Sequence, residues 1–358
     1  MVNNEQIRFG IIGAGNIAGV HIQTLAHIPE AAITAITDVY QPLAEQRARE
    51  HGIPVVHPSY EKLLEDPDVD AVIVAVPNKY HATIAVAALQ AGKHVLLEKP
   101  MALNAAEAKK ILLTHRQTNL TLMMAHQQRW EWSSLQVKEQ VDKGALGHIY
   151  NAKTGWMRRK GIPGWGTWFT RMDQSGGGPL IDLGVHMIDL SLHLMGNPKP
   201  LTVFGTTFAE FGPKKRGIGT WGTPNWEGFY DVEDLSTALI KCDNGSTLSL
   251  DVSWAAHAEY MDGKPFVYLM GSEGGASLRD AKGMLFSEVD DQKHEVQLAV
   301  PENDEGSRVR MARHFIECVR EGKEPLTSAL SGYTNSLILE AIYESSRTGA
   351  AVTLEWDI

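Results

Sequence analysis

The first third of the chain most constrains its fold: five short runs, at residues 7–12, 32–37, 71–76, 94–97 and 120–124, are largely apolar on both faces. Helical patterns separate them at 43–51, 80–90 and 105–117. The last of these opens with Asn104-Ala105-Ala106-Glu107, patterned like a capping box in which Asn is the cap. A strand that is apolar on both faces must be covered on both faces, and helical crossovers supply that cover. The pattern predicts a doubly wound parallel sheet.

Beyond about residue 125 the rhythm changes. A helical stretch at 134–143 is followed by mixed and alternating segments. The segments 235–242 and 246–254 flank Asp243-Asn244-Gly245, a hairpin signal because Asn-Gly readily supplies the positive φ of a tight turn. Further strands are expected at 266–270 and 276–279, and helices at 308–321 and 328–346. The expected organisation is an α/β domain with a doubly wound parallel sheet over 1–125 and an α+β domain over 126–358. The second is built on a mostly antiparallel open sheet.

Charge narrows the partners. With 33 basic and 43 acidic residues, the formal charge of −10 repels phosphate backbones, so nucleic acid is not expected as a partner. Two cysteines, Cys242 and Cys318, make no disulfide framework and suit a reducing cytosol. Residues 1–9 are polar and lack the apolar core of a signal peptide. No apolar run reaches the roughly 20 residues that cross a bilayer. A cytoplasmic location without membrane association is expected.

Gly13-Ala14-Gly15-Asn16-Ile17-Ala18 stands between the first apolar run and a helix, the context in which a G-x-G-x-x-A string signals dinucleotide binding. Gly13 permits the tight turn, Gly15 lets the backbone approach a pyrophosphate, and Ala18 keeps the helix close to the sheet. The N–H groups at the helix start face the phosphates. Asp38 ends the second run, 20 residues beyond Ala18. Its carboxylate can accept hydrogen bonds from ribose hydroxyls and would repel a 2′-phosphate, so NAD is expected rather than NADP; its plainer reading is a strand-end cap. Ala75-Val76-Pro77-Asn78 ends another strand on the edge where such sheets bind ligands, and reads equally as an ordinary strand-to-helix turn.

Two more segments point to a family. Leu96-Leu97-Glu98-Lys99-Pro100 closes a strand, and Gly176-Gly177-Gly178-Pro179-Leu180-Ile181-Asp182-Leu183-Gly184-Val185-His186-Met187-Ile188-Asp189 lies far downstream. With the glycine turn, the Asn244-Gly245 hairpin and the closing Leu339-Glu340-Ala341-Ile342-Tyr343 helix, the chain resembles the glucose–fructose oxidoreductase / inositol dehydrogenase / MocA-like (Gfo/Idh/MocA) family over essentially its whole length. The resemblance implies Lys99, Asp182 and His186 as a catalytic trio and a cis Lys99–Pro100 peptide. It also implies a Rossmann dinucleotide-binding domain over 1–125, a substrate-binding and oligomerisation domain over 126–358, and a homodimer or homotetramer assembled through the second domain's sheet. The cofactor contacts expected are Gly13, Gly15, Asn16, Ile17, Asp38, Pro77, Asn78, His81, Glu98 and Lys99.

The chemistry of the trio follows from its residue types. Oxidising an alcohol by hydride transfer requires removal of the hydroxyl proton, and a histidine titrating near neutrality suits that task. His186 lies four residues after Asp182, so on a helix both face the same way. Lys99 could hydrogen-bond the reacting oxygen and favour its alkoxide. Either Lys99 or His186 accepts the proton, with His186 the better base; Asp182 holds a substrate hydroxyl or orients the imidazole. Asp189 either bonds that ring or caps a polar face. Asp182, His186 and Asp189 could bind a metal, but no cysteine cluster or H-E-x-x-H string supports one, so none is expected.

Aromatic residues concentrate in two stretches: Trp156, Trp165, Trp168 and Phe169, then Trp221, Trp226, Phe229 and Tyr230. Aromatic faces beside polar groups suit sugars and cyclitols, although the same residues could fill a core or a subunit contact. Trp156, Trp165 and Trp168 are the expected substrate contacts, with Asp182, His186 and Arg129. The family often has Asn and Arg after the last Rossmann strand; His126-Gln127-Gln128-Arg129-Trp130 keeps the Arg and lacks the Asn. Arg158-Arg159-Lys160 and Lys214-Lys215-Arg216 read as solvated loops, or as contacts for an anionic substrate group. The function expected is NAD-dependent oxidation of a secondary hydroxyl of a sugar, sugar derivative or inositol. NAD-assisted glycoside cleavage and a non-enzymatic dinucleotide sensor are the alternatives.

Overall fold

The computed structural model describes residues 6–259 and 262–358. They form two compact units: one takes the chain up to Gln127 with Glu305–Tyr333 and Ile358, the other Gln128–Asp304 and Thr334–Asp357.

The first unit holds β1 (Ile7–Ile12), α1 (Asn16–Leu25), β2 (Ala31–Thr37), α2 (Gln41–His51), β3 (Val55–Val56), α3 (Tyr60–Leu64), β4 (Ala71–Val74), α4 (His81–Gln90), β5 (His94–Leu97), α5 (Ala105–Arg116) and β6 (Leu122–Met124). The strands pair in the order β3-β2-β1-β4-β5-β6, parallel throughout, the doubly wound plan that the apolar runs predict. Every residue of β4 is buried, as a strand covered on both faces requires. The Asn104 side chain accepts the Glu107 N–H at 2.9 Å and caps α5. The helix Ser307–Glu321 buries Met311, Ala312, Phe315 and Ile316, with Phe315 6.0 Å from the Phe9 ring. This late return to the first unit carries no mark in the sequence.

The second unit holds α6 (Trp132–Asp142), β7 (Ile149–Arg158), α7 (Met172–Ser175), α8 (Val185–Leu194), β8 (Pro200–Phe208), β9 (Leu235–Cys242), β10 (Thr247–Ser253), β11 (Asp262–Gly271), β12 (Gly275–Arg279), β13 (Lys282–Val289), β14 (Gln292–Gln297) and β15 (Val352–Thr353). Its sheet runs β14-β13-β12-β11-β7-β10-β9-β8-β15, with β7 and β10 parallel and the other pairs antiparallel. The hairpin at Asp243-Asn244-Gly245 is present, with positive φ at Gly245. The Asn244 side chain instead accepts the Ser246 N–H at 3.0 Å. β7, β8, β13, β14 and β15 lie outside the sequence expectation. β14 is exposed at all its positions and so has no apolar alternation to read.

Every residue of α8 is buried, polar ones included. Buried charge needs a partner, and Asp189 has one in Arg129: Nε and Nη2 donate to its two carboxylate oxygens at 2.6 Å each. Asn335 adds a bond to Asp189 at 3.2 Å. Next to them, burial and the charge of Arg129 push the His193 imidazole down to about 3. The unfolded chain would take that proton near about pH 6.5 and the folded state refuses it. His193 therefore contributes stability that is complete above about pH 6.5 and declines towards about pH 3, at up to about 1.4 kcal/mol per pH unit. The variant His193→Gln is expected to show a shallower fall of Tm between about pH 6.5 and 5 than the parent; equal slopes would refute the assignment.

Among the described residues, no helix is long and apolar enough to cross a membrane.

Candidate active site

In the first unit the glycine turn lies where β1, β2 and β4 end. Gly13 has φ +103°, and a Cβ there would stand 2.3 Å from the Ala75 carbonyl oxygen, so the turn cannot take a side chain. Gly15 differs: its Cβ would project into open space, and it precedes α1 with no side chain capping that helix and no acidic residue in its first turn. An uncapped helix start beside a gap at Gly15 fits a pyrophosphate, and Asn16 and Ile17 open the helix that faces it. Asp38 accepts the Ala14 N–H at 2.7 Å and the Tyr40 N–H at 2.8 Å, while Arg47 donates to the Ala14 carbonyl at 3.3 Å. Two oppositely charged side chains thus hold the Ala14 peptide from both ends. The contact from Arg47 has no sequence signal.

Two expected cofactor contacts have other employment. His81 is fully buried, with Nδ1 2.7 Å from the Pro100 carbonyl and Nε2 2.9 Å from the Val76 carbonyl. It braces the loops after β4 and β5, and burial pushes its pKa down. Glu98 is buried as well: Oε1 meets His21 Nε2 at 2.7 Å, and Oε2 accepts the Lys99 N–H at 3.2 Å. Burial alone would raise its pKa; the hydrogen bond and charge of His21, with Arg308 and Lys99, hold it at about 2. His21 lies on α1, so this pair ties the helix after the glycine turn to the backbone of Lys99. The Lys99–Pro100 peptide is cis. Pro77 precedes a short 3-10 turn at Asn78–Tyr80, and Asn78 is buried.

In the second unit, Asp182 and His186 stand where the glycine-rich segment becomes helical. Asp182 lies in a π-type turn, Leu180–Gly184, which runs directly into α8 and His186. The even α-helix that the four-residue spacing suggests is therefore interrupted; such wide turns concentrate at functional sites. A distant residue anchors the turn. The carboxylate of Glu233 accepts the N–H groups of Gly178 at 3.0 Å and Leu180 at 2.9 Å, and the Tyr343 hydroxyl at 3.0 Å. Gly177 has φ +154°, and a Cβ there would collide with the Tyr343 hydroxyl at 1.8 Å. Burial pushes the Glu233 pKa up, against the pull of these donors.

Trp254 Nε1 donates to Asp182 Oδ2 at 3.0 Å, and the Trp156 ring lies 6.4 Å from that of His186. Trp254, fully buried at the end of β10, has no signal of this role beyond its apolar strand. The aromatic residues divide. Trp165 is buried, donates to the Gly212 carbonyl at 2.8 Å and stacks on Trp226 at 5.5 Å, so it belongs to the packing of two loops. Trp168 packs edge-on against Phe169 at 4.7 Å. Trp156, partly buried, is the aromatic face next to His186. Arg129, expected at the substrate, instead spends its guanidinium on Asp189 inside the unit, because the buried carboxylate requires it. Asp189 accordingly serves Arg129. Arg158 is partly buried at the end of β7 rather than in a loop, and its guanidinium lies over the Trp156 ring at 5.0 Å. Among the described residues no group of His, Cys, Asp and Glu side chains is placed to hold a metal ion.

Residues 7–126 match the family model described as "Oxidoreductase family, NAD-binding Rossmann fold", and residues 134–277 match the "GFO/IDH/MocA C-terminal domain". The chain is 30% identical over 357 residues to the D-glucoside 3-dehydrogenase of Escherichia coli (strain K12), covering 99% of both. It is 26% identical over 360 residues to the scyllo-inositol 2-dehydrogenase (NAD(+)) of Bacillus subtilis (strain 168), covering 98% of this chain and 97% of that one. A levoglucosan dehydrogenase solved in complex with NADH has the same fold, with a TM-score of 0.88 at 23% identity over 98% of this chain and all of the other. The glycine turn, the Lys99–Pro100 segment and the Gly176–Asp189 segment thus stand in a chain that belongs to the Gfo/Idh/MocA oxidoreductase family, with an NAD-binding Rossmann domain at its amino-terminal end.

Proposed function

We propose that the protein is an NAD-dependent dehydrogenase that oxidises a secondary hydroxyl of a sugar, sugar derivative or inositol, with Lys99, Asp182 and His186 as its catalytic set. The observation that carries this reading is the start of α8. There a carboxylate held by an indole N–H and an imidazole beside an indole face occur in a family of NAD-binding oxidoreductases. Relatives bearing the names D-glucoside 3-dehydrogenase and scyllo-inositol 2-dehydrogenase support the substrate class.

The bound dinucleotide supplies the hydride acceptor. The chain's own residues manage the hydroxyl proton. His186 takes it as the carbonyl forms; Lys99 hydrogen-bonds the same oxygen and favours the alkoxide. Asp182, with one oxygen fixed by Trp254, holds a neighbouring hydroxyl. We assign substrate contacts to Trp156, Asp182 and His186, and cofactor contacts to the Gly13–Ile17 turn, Asp38, Pro77, Asn78 and Lys99.

Asp38 supports NAD over NADP, because a carboxylate at the end of β2 opposes a 2′-phosphate. In an assay of sugars and cyclitols with both dinucleotides, NADH formation from at least one polyol is expected. Asp38→Ala should raise the ratio of NADP to NAD turnover about tenfold. An unchanged ratio removes Asp38 from the preference; release of a glycosidic leaving group without NADH would replace the dehydrogenase reading. Phe204 and Leu239, opposite each other on β8 and β9 and each about half exposed, support a homo-oligomer formed on that sheet face. The cytoplasm is the proposed compartment.

A further inference from the structure

Arg158 ends β7, two residues after Trp156, so the two side chains share a face of the sheet. Its position is tightly fixed. Ser253, fully buried on β10, accepts the Arg158 N–H at 3.1 Å and donates to its carbonyl at 3.0 Å. The aliphatic stem runs through a slot made by two glycines: a Cβ on Gly161 would stand 2.8 Å from Arg158 Cδ, and one on Gly263 3.8 Å from Cγ. Trp156, whose Nε1 donates to the Gly263 carbonyl at 2.6 Å, forms the floor under the guanidinium. The same Trp156 ring neighbours His186.

A guanidinium over an indole face carries its N–H donors around its edge, in a plane. Burial lowers its proton affinity and the charge of Asp182 partly restores it, so the cation is both desolvated and within electrostatic reach of Asp182. A desolvated donor fork is costly unless oxygen atoms meet it. Within this unit the positive charge of Arg158 is opposed by the negative charge of Asp182. An added ammonium would put a second positive charge beside the guanidinium in a partly buried place, whereas a hydroxyl or ring oxygen would not.

We propose that Arg158, over Trp156, is a substrate-contacting specificity residue that donates to a hydroxyl or ring oxygen, and that its positive charge selects neutral sugars and cyclitols over amino sugars. The inference rests on the sugar-oxidising reading above.

The test measures binding by calorimetry separately from NADH formation, for the NAD-loaded parent, Arg158→Gln and Arg158→Lys. The probes are methyl glucoside, myo-inositol, glucuronate and glucosamine. The parent is expected to bind its better neutral probe at least about tenfold more tightly than glucosamine. Arg158→Gln should weaken the neutral probe about tenfold and improve glucosamine relative to it, because Asp182 then lacks its counter-charge. Arg158→Lys keeps the charge but loses the planar fork, so it should bind the neutral probe poorly and still reject glucosamine. Unchanged NADH affinity and Tm would show that the variants are folded. Neutral binding by Arg158→Gln within about twofold of the parent, or equal weakening of all four probes, overturns the inference. If the parent binds none of the probes, the sugar reading falls and the inference with it. If it binds them with the expected pattern but forms no NADH, the inference stands and the dehydrogenase reading alone falls.

Discussion

Replacing Lys99 by alanine is expected to lower kcat for the best polyol about 10²- to 10⁴-fold, the range that one positioned proton-transfer or oxyanion-stabilising group supplies. The effect should fall on kcat more than on NADH affinity, since Lys99 is only one of the proposed cofactor contacts and the pyrophosphate turn is built from other residues. The substitution spares the local scaffold: Glu98 holds Lys99 through its backbone N–H, which alanine keeps. His21 holds the other oxygen of Glu98 and is untouched. A folded Lys99→Ala protein with parental activity would remove Lys99 from the reaction. Lys99→Arg retains a cation but not the compact ammonium, and little recovery is expected from it.

The largest effect on stability is expected at Arg129. Removing one partner of a buried ion pair leaves the other charge without compensation, at a cost of about 3–5 kcal/mol. Arg129→Ala would strand Asp189, which is almost wholly inaccessible to solvent. For a unit of this size that corresponds to a fall in Tm of roughly 6–20 °C. The double variant Arg129→Met, Asp189→Leu should recover most of the loss, because two apolar side chains of similar volume need no partner. A single variant destabilised by less than about 1 kcal/mol, or a double variant no better than the single, would contradict this account.

The parallel sheet was legible because its strands carry apolar side chains on both faces and helices intervene, a pattern with few structural solutions. The cofactor turn was legible for a related reason: Gly13 stands against a carbonyl oxygen, and no other residue fits there. β14 was not, since all its positions are exposed and its pairing with β13 is made by backbone groups that every residue has. Arg129 and Arg158 show the limit at the site. Both are basic residues near aromatic ones, yet one is consumed by a buried aspartate 60 positions away and the other lies on Trp156. The second pairing spans two positions and is readable only once β7 is known as a strand, whereas the first is long-range and has no local period. Trp254 was hidden in the same way, as an apolar strand end whose one polar atom meets Asp182.

The anchoring of the π-type turn by Glu233 also has a consequence in time. The donors at Gly178 and Leu180 lie 55 and 53 positions from the carboxylate they meet. The beginning of α8 therefore cannot be completed by neighbours in the chain, and its closing bonds wait until the segment bearing Glu233 has found its place. Contacts so distant in sequence form late and slowly, because loop closure must precede their gain. The segment that carries Asp182 and His186 is thus expected to be among the last parts of its unit to reach final geometry as the chain folds.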